Sequence, residues 1–245
     1  MGDISISLIL ILILLCIGAS LVQRVSGFGF GIFIMTALPF ITPSYAEATT
    51  LSGLLAATLS AYVLISMWRL VNWKQLTIIL LAFSVVAYFS IDYVAKSAET
   101  HLKLLLGITL IILSLYFLFI CKHINVKPTC FLQITMGGLS GAMGGLFGMH
   151  GPPAVIYFLA SQPDKNHYMA TTQAFFLISN LILTAFRANN GFITPFVCYG
   201  WITACVGVAI GSYIGKLIFD RISSETLRKI IYVYMIFAGV TAILS

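Results

Sequence analysis

The stretch "GGLFGMHGPPAVIYF", Gly144 to Phe158, decides the fold because it interrupts a membrane-like helix with four glycines and two adjacent prolines. In hydrocarbon, an unpaired backbone N–H or C=O is costly, so non-helical backbone at membrane depth is tolerated only where protein buries it or where it lines a watery cavity. We therefore expect a protein-lined cavity or a polar guest at this break.

The composition places the whole chain in a membrane. Of its 245 residues, 60% are hydrophobic and only 8% are charged, far from the averages of soluble domains. The 13 basic and 7 acidic residues give a net charge of +6, but the basic residues occupy short gaps between apolar runs, which argues against a nucleic-acid partner. The five cysteines show no C-x-x-C or zinc spacing, so we expect no metal site and no disulfide.

Long apolar runs predict an all-α integral membrane protein with about eight transmembrane helices, since a spanning helix needs about 20 residues. The predicted segments are Ile4–Val22, Tyr45–Met67, Leu76–Tyr93, Leu102–Ile120, Cys130–Leu146, Tyr168–Phe186, Phe196–Phe219 and Leu227–Leu244. Two shorter runs, Ile32–Phe40 and Ala154–Ala160, each follow a glycine-rich break. We predict that these two runs are half-helices.

The order of these features occurs twice along the chain: long helix, glycine break, half-helix, then an Ala-Thr-Thr that opens the next helix. Gly29 and Ala48–Thr50 recur at one constant spacing as Gly151 and Ala170–Thr172. This order predicts two homologous four-segment halves, each with a glycine-broken or re-entrant helix. The predicted boundaries are 1–122 for the first half, 123–129 for a polar linker and 130–245 for the second half.

Two arrangements of the halves are open. If all eight segments span, the halves are parallel, and one side, cytoplasmic by the positive-inside rule, carries Lys96, Lys103, Lys216, Arg221, Arg228 and Lys229. If the first segment of each half forms a re-entrant hairpin with its half-helix, each half has three spanning helices and the halves are inverted. The similar basic loops of the two halves favour the parallel arrangement.

The glycine breaks can present backbone donors to a solute. Proline is tolerated in the first turn of a helix, where its missing N–H costs little, so a half-helix starting there directs its positive dipole end at the break. An anion is the ligand that such an arrangement favours. Close packing of small residues between helices is the alternative explanation of the glycines. The candidate backbone residues are Gly27, Gly29, Gly31, Gly148, Gly151 and Pro152.

Several polar side chains near the breaks are further candidates. His150 could donate to an anion or carry a coupled proton near neutral pH, and a structural role is the alternative. Arg24 is a candidate intramembrane charge, or it extends to the interface. Hydroxyl and amide donors for substrate binding are Thr49, Thr50, Thr171, Thr172, Gln173 and Asn180.

Two other charged residues have simpler interpretations. Glu47 follows Ser44 by three residues, which is the spacing of a capping box at a helix start. Arg187 comes at the end of a predicted segment, where a long basic side chain is expected to anchor the helix at the membrane interface.

Three stretches carry a family resemblance: "SGFGFGIFIMTALPFITPSYAEATT" (26–50), "GGLSGAMGGLFGMHGPPAVIYFLA" (137–160) and "MATTQAFFLISN" (169–180). Together they resemble the TauE/SafE family of sulfite-exporter-like membrane permeases, over nearly the whole chain. The resemblance implies a secondary transporter of sulfite, sulfonates or other small anions in the bacterial inner membrane. Family members often carry an arginine just before the second Ala-Thr, where this chain has Met169.

The remaining function classes are weighed by their motifs. A membrane-embedded enzyme would need a constellation such as H-E-x-x-H or G-x-S-x-G, and the sequence has neither, so we expect no enzyme and no cofactor. An anion channel or a structural membrane protein without carrier activity is the alternative, since helix breaks also line pores. The expected partners are a small anionic substrate and the lipid bilayer; proton coupling and homo-oligomer formation stay open.

Overall fold

The computed structural model describes residues 6–116 and 128–218, together with Phe119, Ile236, Val240 and Ile243, and this described part is helical without strands. Most of the predicted linker 123–129, the last predicted segment Leu227–Leu244 and the end of Leu102–Ile120 lie outside the described residues.

Residues 6–116 and 128–218 contain ten α-helices and one short 3₁₀ helix, Trp68–Leu70. In the first predicted half they are α1 (Ile6–Ser26), α2 (Phe30–Met35), α3 (Leu38–Ile41), α4 (Tyr45–Leu64), α5 (Trp73–Lys96) and α6 (Glu99–Leu115). In the second they are α7 (Cys130–Phe147), α8 (Gly151–Ser161), α9 (Lys165–Asn189) and α10 (Pro195–Ile218).

The long helices agree with the apolar runs of the sequence. Helices α1, α5, α7, α9 and α10 are long and apolar enough to cross a membrane. Helix α4 has 20 residues, most of them buried, because it lies between other helices. Helix α6 has 17 residues, fewer than a span usually needs. The architecture is therefore an all-helical membrane fold with at least five candidate spans, and the count of eight stays a prediction.

The interpretation of Glu47 as a helix cap is confirmed. The Ser44 side chain accepts a hydrogen bond from the Glu47 backbone N–H at 3.2 Å, and the Ser44 hydroxyl donates to the Glu47 carboxylate at 3.0 Å. Thr194, just before α10, donates to the other carboxylate oxygen at 2.5 Å. Glu47 thus joins the starts of α4 and α10.

Two helix pairs pack along rows of glycine. Helix α1 packs along α10, and α5 packs along α7. A methyl group on Gly211 would collide with the Ile17 carbonyl, and one on Gly141 with the Phe83 carbonyl. The glycines that face the partner helix are Gly207, Gly211 and Gly215 on α10, and Gly137, Gly141 and Gly145 on α7. Close packing of small residues between helices, the alternative to a binding role, therefore explains these glycines.

The directions of the helices follow from these contacts. Gly207 faces Ile13 and Gly215 faces Arg24, so α10 runs parallel to α1. Gly137 faces Ile79 and Gly145 faces Ile91, so α7 likewise runs parallel to α5.

Helices α4 and α9 run antiparallel. Arg187, near the end of α9, bonds to Thr49, near the start of α4. Asn72, which follows α4, bonds to Thr171, near the start of α9. Corresponding helices of the two predicted halves therefore run in opposite directions. This favours the inverted arrangement, and the parallel one is wrong.

The inverted arrangement follows from re-entrant hairpins. Gln162, just after α8, donates to the Gln75 side chain, and Gln133, in the first turn of α7, donates to the Gln75 carbonyl. Helix α8 therefore returns to the side from which α7 started. In the first half, α2 turns back along α1, where Gly18 faces the Phe33 ring.

The first half-helix differs from its prediction. The run Ile32–Phe40 was expected as one half-helix, but it contains two short helices, α2 and α3. Pro39 has no N–H to donate to Met35, and the N–H groups of Thr36 and Ala37 bond instead to the carbonyls three residues back. The proline therefore divides the segment.

We call the side at which α4 and α10 begin the α4 side, and the side at which α5, α7 and α9 begin the α5 side. Lys96 ends α5 and so lies on the α4 side, whereas Lys216 near the end of α10 lies on the α5 side. The expectation that both lysines share one side is therefore wrong, because it assumed that the chain does not return after each first segment.

Candidate functional site

The two glycine breaks lie against each other. A Cβ atom on Gly31 would stand 2.6 Å from the Gly148 carbonyl oxygen and 3.3 Å from the Met149 Cα. The backbones of the two breaks are therefore in contact. Gly29 and Gly148 have φ angles of +106° and +67°, which only glycine adopts without strain. The two glycine breaks therefore meet in the folded chain.

A small cavity lies between the breaks. Its volume is about 20 Å³, enough for one water molecule. Six predicted residues line it: Gly29, Gly31, Gly148, His150, Gly151 and Asn180. Five residues that the sequence analysis missed complete the wall: Gln23, Ile32, Ala56, Met149 and Phe176.

The cavity wall offers backbone donors. At a helix start the first N–H groups have no acceptor inside the helix, and within the described residues none of the N–H groups of Gly31, Ile32, His150 and Gly151 has an acceptor. The two prolines that follow Gly151 carry no N–H. The first break therefore offers consecutive donors, whereas the second offers them only at and before Gly151.

His150 has one satisfied and one free ring nitrogen. Its Nε2 lies 2.7 Å from the Ser179 hydroxyl, and its buried Nδ1 has no partner among the described residues. The rings of Phe83, Phe175 and Phe176 stand edge-on around the imidazole, with centroids 5.4 to 5.7 Å away. Ser179 thus orients the histidine. In the sequence, the sign that Ser179 contributes to the site is its position directly before Asn180.

Asn180 also has an unused polar atom. Its side-chain amide N–H donates to the Phe176 carbonyl at 2.8 Å, one turn back on α9. The residue is only 1% exposed, and its side-chain oxygen has no partner among the described residues. A buried polar atom without a partner is costly, and because this oxygen is an acceptor it suits a hydrogen-bond donor rather than an anion.

The four predicted threonines do not line the cavity. Thr49 and Thr50 donate to the Ala46 carbonyl of their own helix, at 3.0 and 2.7 Å. Thr171 accepts the N–H of Asn72, which ties the loop before α5 to α9. Thr172 has a buried hydroxyl without a partner in the described part of the chain.

A hydrogen-bonded group that we call the glutamine layer lies on the α5 side of the cavity. Gln23 donates to Gln173 at 3.1 Å and lies 3.4 Å from the Ser60 hydroxyl. Gln173 in turn donates to the Gly27 carbonyl at 3.2 Å. Gln173 and Gly27 thus sit beside the cavity rather than in its wall.

Two remaining candidates lie apart from the cavity. Arg24 is half-buried and packs against Gly215 of α10. Pro152 is buried in the first turn of α8 but is not part of the cavity wall. Within the described ranges, no cluster of three or more histidine, cysteine or acidic residues is placed to hold a metal ion.

The interpretation of Arg187 as an interface anchor is wrong. The side chain is 1% exposed and donates to the carbonyls of Thr49 and Gly144, at 2.9 and 2.8 Å. We call these three residues the arginine layer. It lies on the α4 side of the cavity, because Thr49 precedes the wall residue Ala56 along α4.

Comparisons with known proteins give a family and a relative. A family model described as Sulfite exporter TauE/SafE matches residues 11–242. A relative from Cupriavidus necator, named a probable sulfite/organosulfonate exporter TauE, is 26% identical over 234 residues, which cover 91% of this chain and 88% of the relative. No solved structure matches the chain.

Proposed function

The chain belongs to the TauE/SafE family of sulfite exporters, and on that premise we propose that it is a secondary transporter of sulfite or organosulfonates. The named relative is a probable exporter of these anions. The substrate would bind where the two glycine breaks meet, in contact with free backbone N–H groups and with His150.

The observation that carries this proposal is the chemistry of the cavity wall. It contains unpaired N–H donors and no carboxylate. Hydrogen bonds from backbone N–H groups to an anion are among the strong ones, and a site without acidic residues repels no negative charge. The wall therefore suits a small oxyanion better than a cation.

The size of the cavity favours a carrier over a channel. A volume of about 20 Å³ is narrow for an anion of four heavy atoms. The glutamine layer and the arginine layer flank it along α4 and α9. We infer that one of these layers moves when an anion passes.

We place the α5 side in the cytoplasm of a bacterial inner membrane. Arg69, Lys74, Lys165 and Lys216 belong to helix ends and loops on the α5 side, against Lys96 and Lys103 on the α4 side. Cytoplasmic loops carry the excess of basic residues.

This orientation is tested with single cysteines in a cysteine-free variant. Asn190→Cys, on the α4 side, should react with a membrane-impermeant maleimide in intact cells. Lys165→Cys, on the α5 side, should react only after permeabilisation. The reverse pattern refutes the orientation.

The function is tested by flux in proteoliposomes. We expect saturable uptake of radiolabelled sulfite that is accelerated by internal unlabelled sulfite and inhibited by methanesulfonate. Flux that rises linearly with concentration and shows no counter-transport would favour the channel. A parent protein without any anion flux would refute both.

Proton coupling is tested in the same vesicles. An imposed pH gradient should drive sulfite accumulation if the coupling ion is a proton. Accumulation that is independent of the gradient would refute coupling and leave the carrier proposal intact.

A further inference from the structure

Arg187 is a buried cation without an anionic partner. Its bonds go to two main-chain carbonyls, and it forms no ion pair with any residue of the described part. The buried carboxylate of that part, Glu47, bonds to Ser44 and Thr194 instead. An isolated charge away from water is costly unless a counter-charge arrives.

Gly53 of α4 leaves room for the Arg187 guanidinium beside the cavity. A Cβ atom on Gly53 would stand 3.1 Å from the Arg187 Nη1 and 3.4 Å from the Asn180 Oδ1. Both atoms therefore border one small space on α4, and Asn180 also belongs to the cavity wall. The guanidinium thus stands directly behind the wall, although Arg187 is two turns further along α9.

A purely structural role accounts for only part of these contacts. The bond to Gly144 places a positive group at the end of α7, where it compensates the helix dipole. However, two of the five N–H groups of a guanidinium make the observed bonds, so donors are left over. A neutral side chain could cap these carbonyls without the cost of a buried charge.

We propose that Arg187 is the residue that selects negative charge in this transporter, by placing a fixed cation behind Asn180 at the cavity. This inference rests on the proposed function. An anion that enters the cavity supplies the missing counter-charge, so the protein is most stable when the anion is bound. A cation or an uncharged analogue gains nothing from Arg187 and is rejected.

The test measures the KM for sulfite counterflow in proteoliposomes. Arg187→Gln removes the charge and should raise the KM about tenfold to hundredfold, because the anion loses the attraction of a cation across a low-dielectric wall. Arg69→Gln is the matched control, because it removes the same charge from an exposed position, and its KM should equal that of the parent. An unchanged KM in Arg187→Gln overturns the proposal.

A second variant decides if Arg187→Gln does not fold. Gly53→Ala keeps the arginine, and its methyl group meets only the ends of two side chains, so the fold should persist while the guanidinium shifts by a few tenths of an ångström. We expect a KM that is raised less than in Arg187→Gln, with an unchanged kcat, and a smaller thermal stabilisation by sulfite than in the parent. A parental KM and stabilisation overturn the proposal, whereas a parent without sulfite flux refutes the proposed function itself.

Discussion

The two glycine breaks look alike in sequence but offer different chemistry to the cavity. The first break leads into α2, where the N–H groups of Gly31 and Ile32 have no acceptor among the described residues. The second leads into α8, whose prolines remove two donors, and it contributes the His150 side chain. The first break therefore supplies backbone donors, whereas the second supplies the His150 side chain at the start of a helix whose first turn contains two prolines.

The largest expected effect comes from adding a methyl group where the breaks touch. In Gly31→Ala the new Cβ would stand 2.6 Å from the Gly148 carbonyl oxygen, so the breaks must separate. We expect a loss of about 1 to 3 kcal/mol of stability, as for overpacking, and nearly complete loss of transport. Thermal unfolding in detergent and sulfite uptake measure the two effects.

The corresponding change in the second break should be mild. A Cβ on Gly151 would stand 3.4 Å from its nearest neighbour, the Phe176 ring, which is an ordinary contact. Gly138→Ala, whose Cβ meets only Val86 at 3.5 Å, controls for the substitution itself. Equal damage from Gly31→Ala and Gly151→Ala would contradict the assigned difference between the breaks.

A smaller effect is expected at the side chain of the second break. His150→Ala removes a donor to the anion, worth roughly 1.5 to 3 kcal/mol, so the apparent affinity should fall about tenfold to hundredfold. His150→Gln keeps a donor without a titratable ring: retained binding with lost coupling would identify the proton carrier. If His150→Ala transports like the parent, the histidine is structural.

Ser179 provides a check on the orientation of this histidine. Ser179→Ala removes the hydroxyl at 2.7 Å from Nε2 and leaves the ring free to turn. We expect the apparent affinity to fall, as in His150→Ala, but by less. The loss should be roughly 1 kcal/mol, the value of a neutral hydrogen bond. A Ser179→Ala variant with the parental KM would show that the ring needs no orienting partner.

The smallest effect concerns two threonines that the sequence pairs. Thr171→Val removes the acceptor of the Asn72 N–H and should lower stability by about 1 kcal/mol without changing the KM, because Thr171 lies outside the cavity wall. Thr49→Val, which removes a bond within its own helix, should change less. A raised KM in Thr171→Val would restore the threonine to the site.

The sequence predicted the parts of the fold that depend on local chemistry. The apolar runs located the helices, and the paired breaks located five residues of the cavity wall, because glycine and proline act on the backbone where they stand. The sequence could not show that the threonines lie outside the cavity wall, since a hydroxyl can bond back to its own helix, and the letters do not distinguish this from a bond to a ligand.

Arg187 and the helix directions needed the three-dimensional structure. A basic residue near a helix end is usually an interface anchor, and only the packing of α9 against α4 and α7 shows that this one is buried. The hairpins were one of two arrangements consistent with the apolar runs. Counting basic loops chose the other one, because a hairpin shifts every later loop to the opposite side.

The glycine-packed pairs have a mechanical consequence. Each pair, α1 with α10 and α5 with α7, takes one helix from each half of the chain, and contact at backbone distance resists sliding. The moving bodies would then be these mixed pairs, hinged around α4 and α9, rather than one half rocking on the other. Spin labels at the exposed positions Leu14 and Tyr213 should keep their distance when sulfite is added, whereas labels at Leu14 and Val85 should not; a change within the first pair would mean that the seam itself shears.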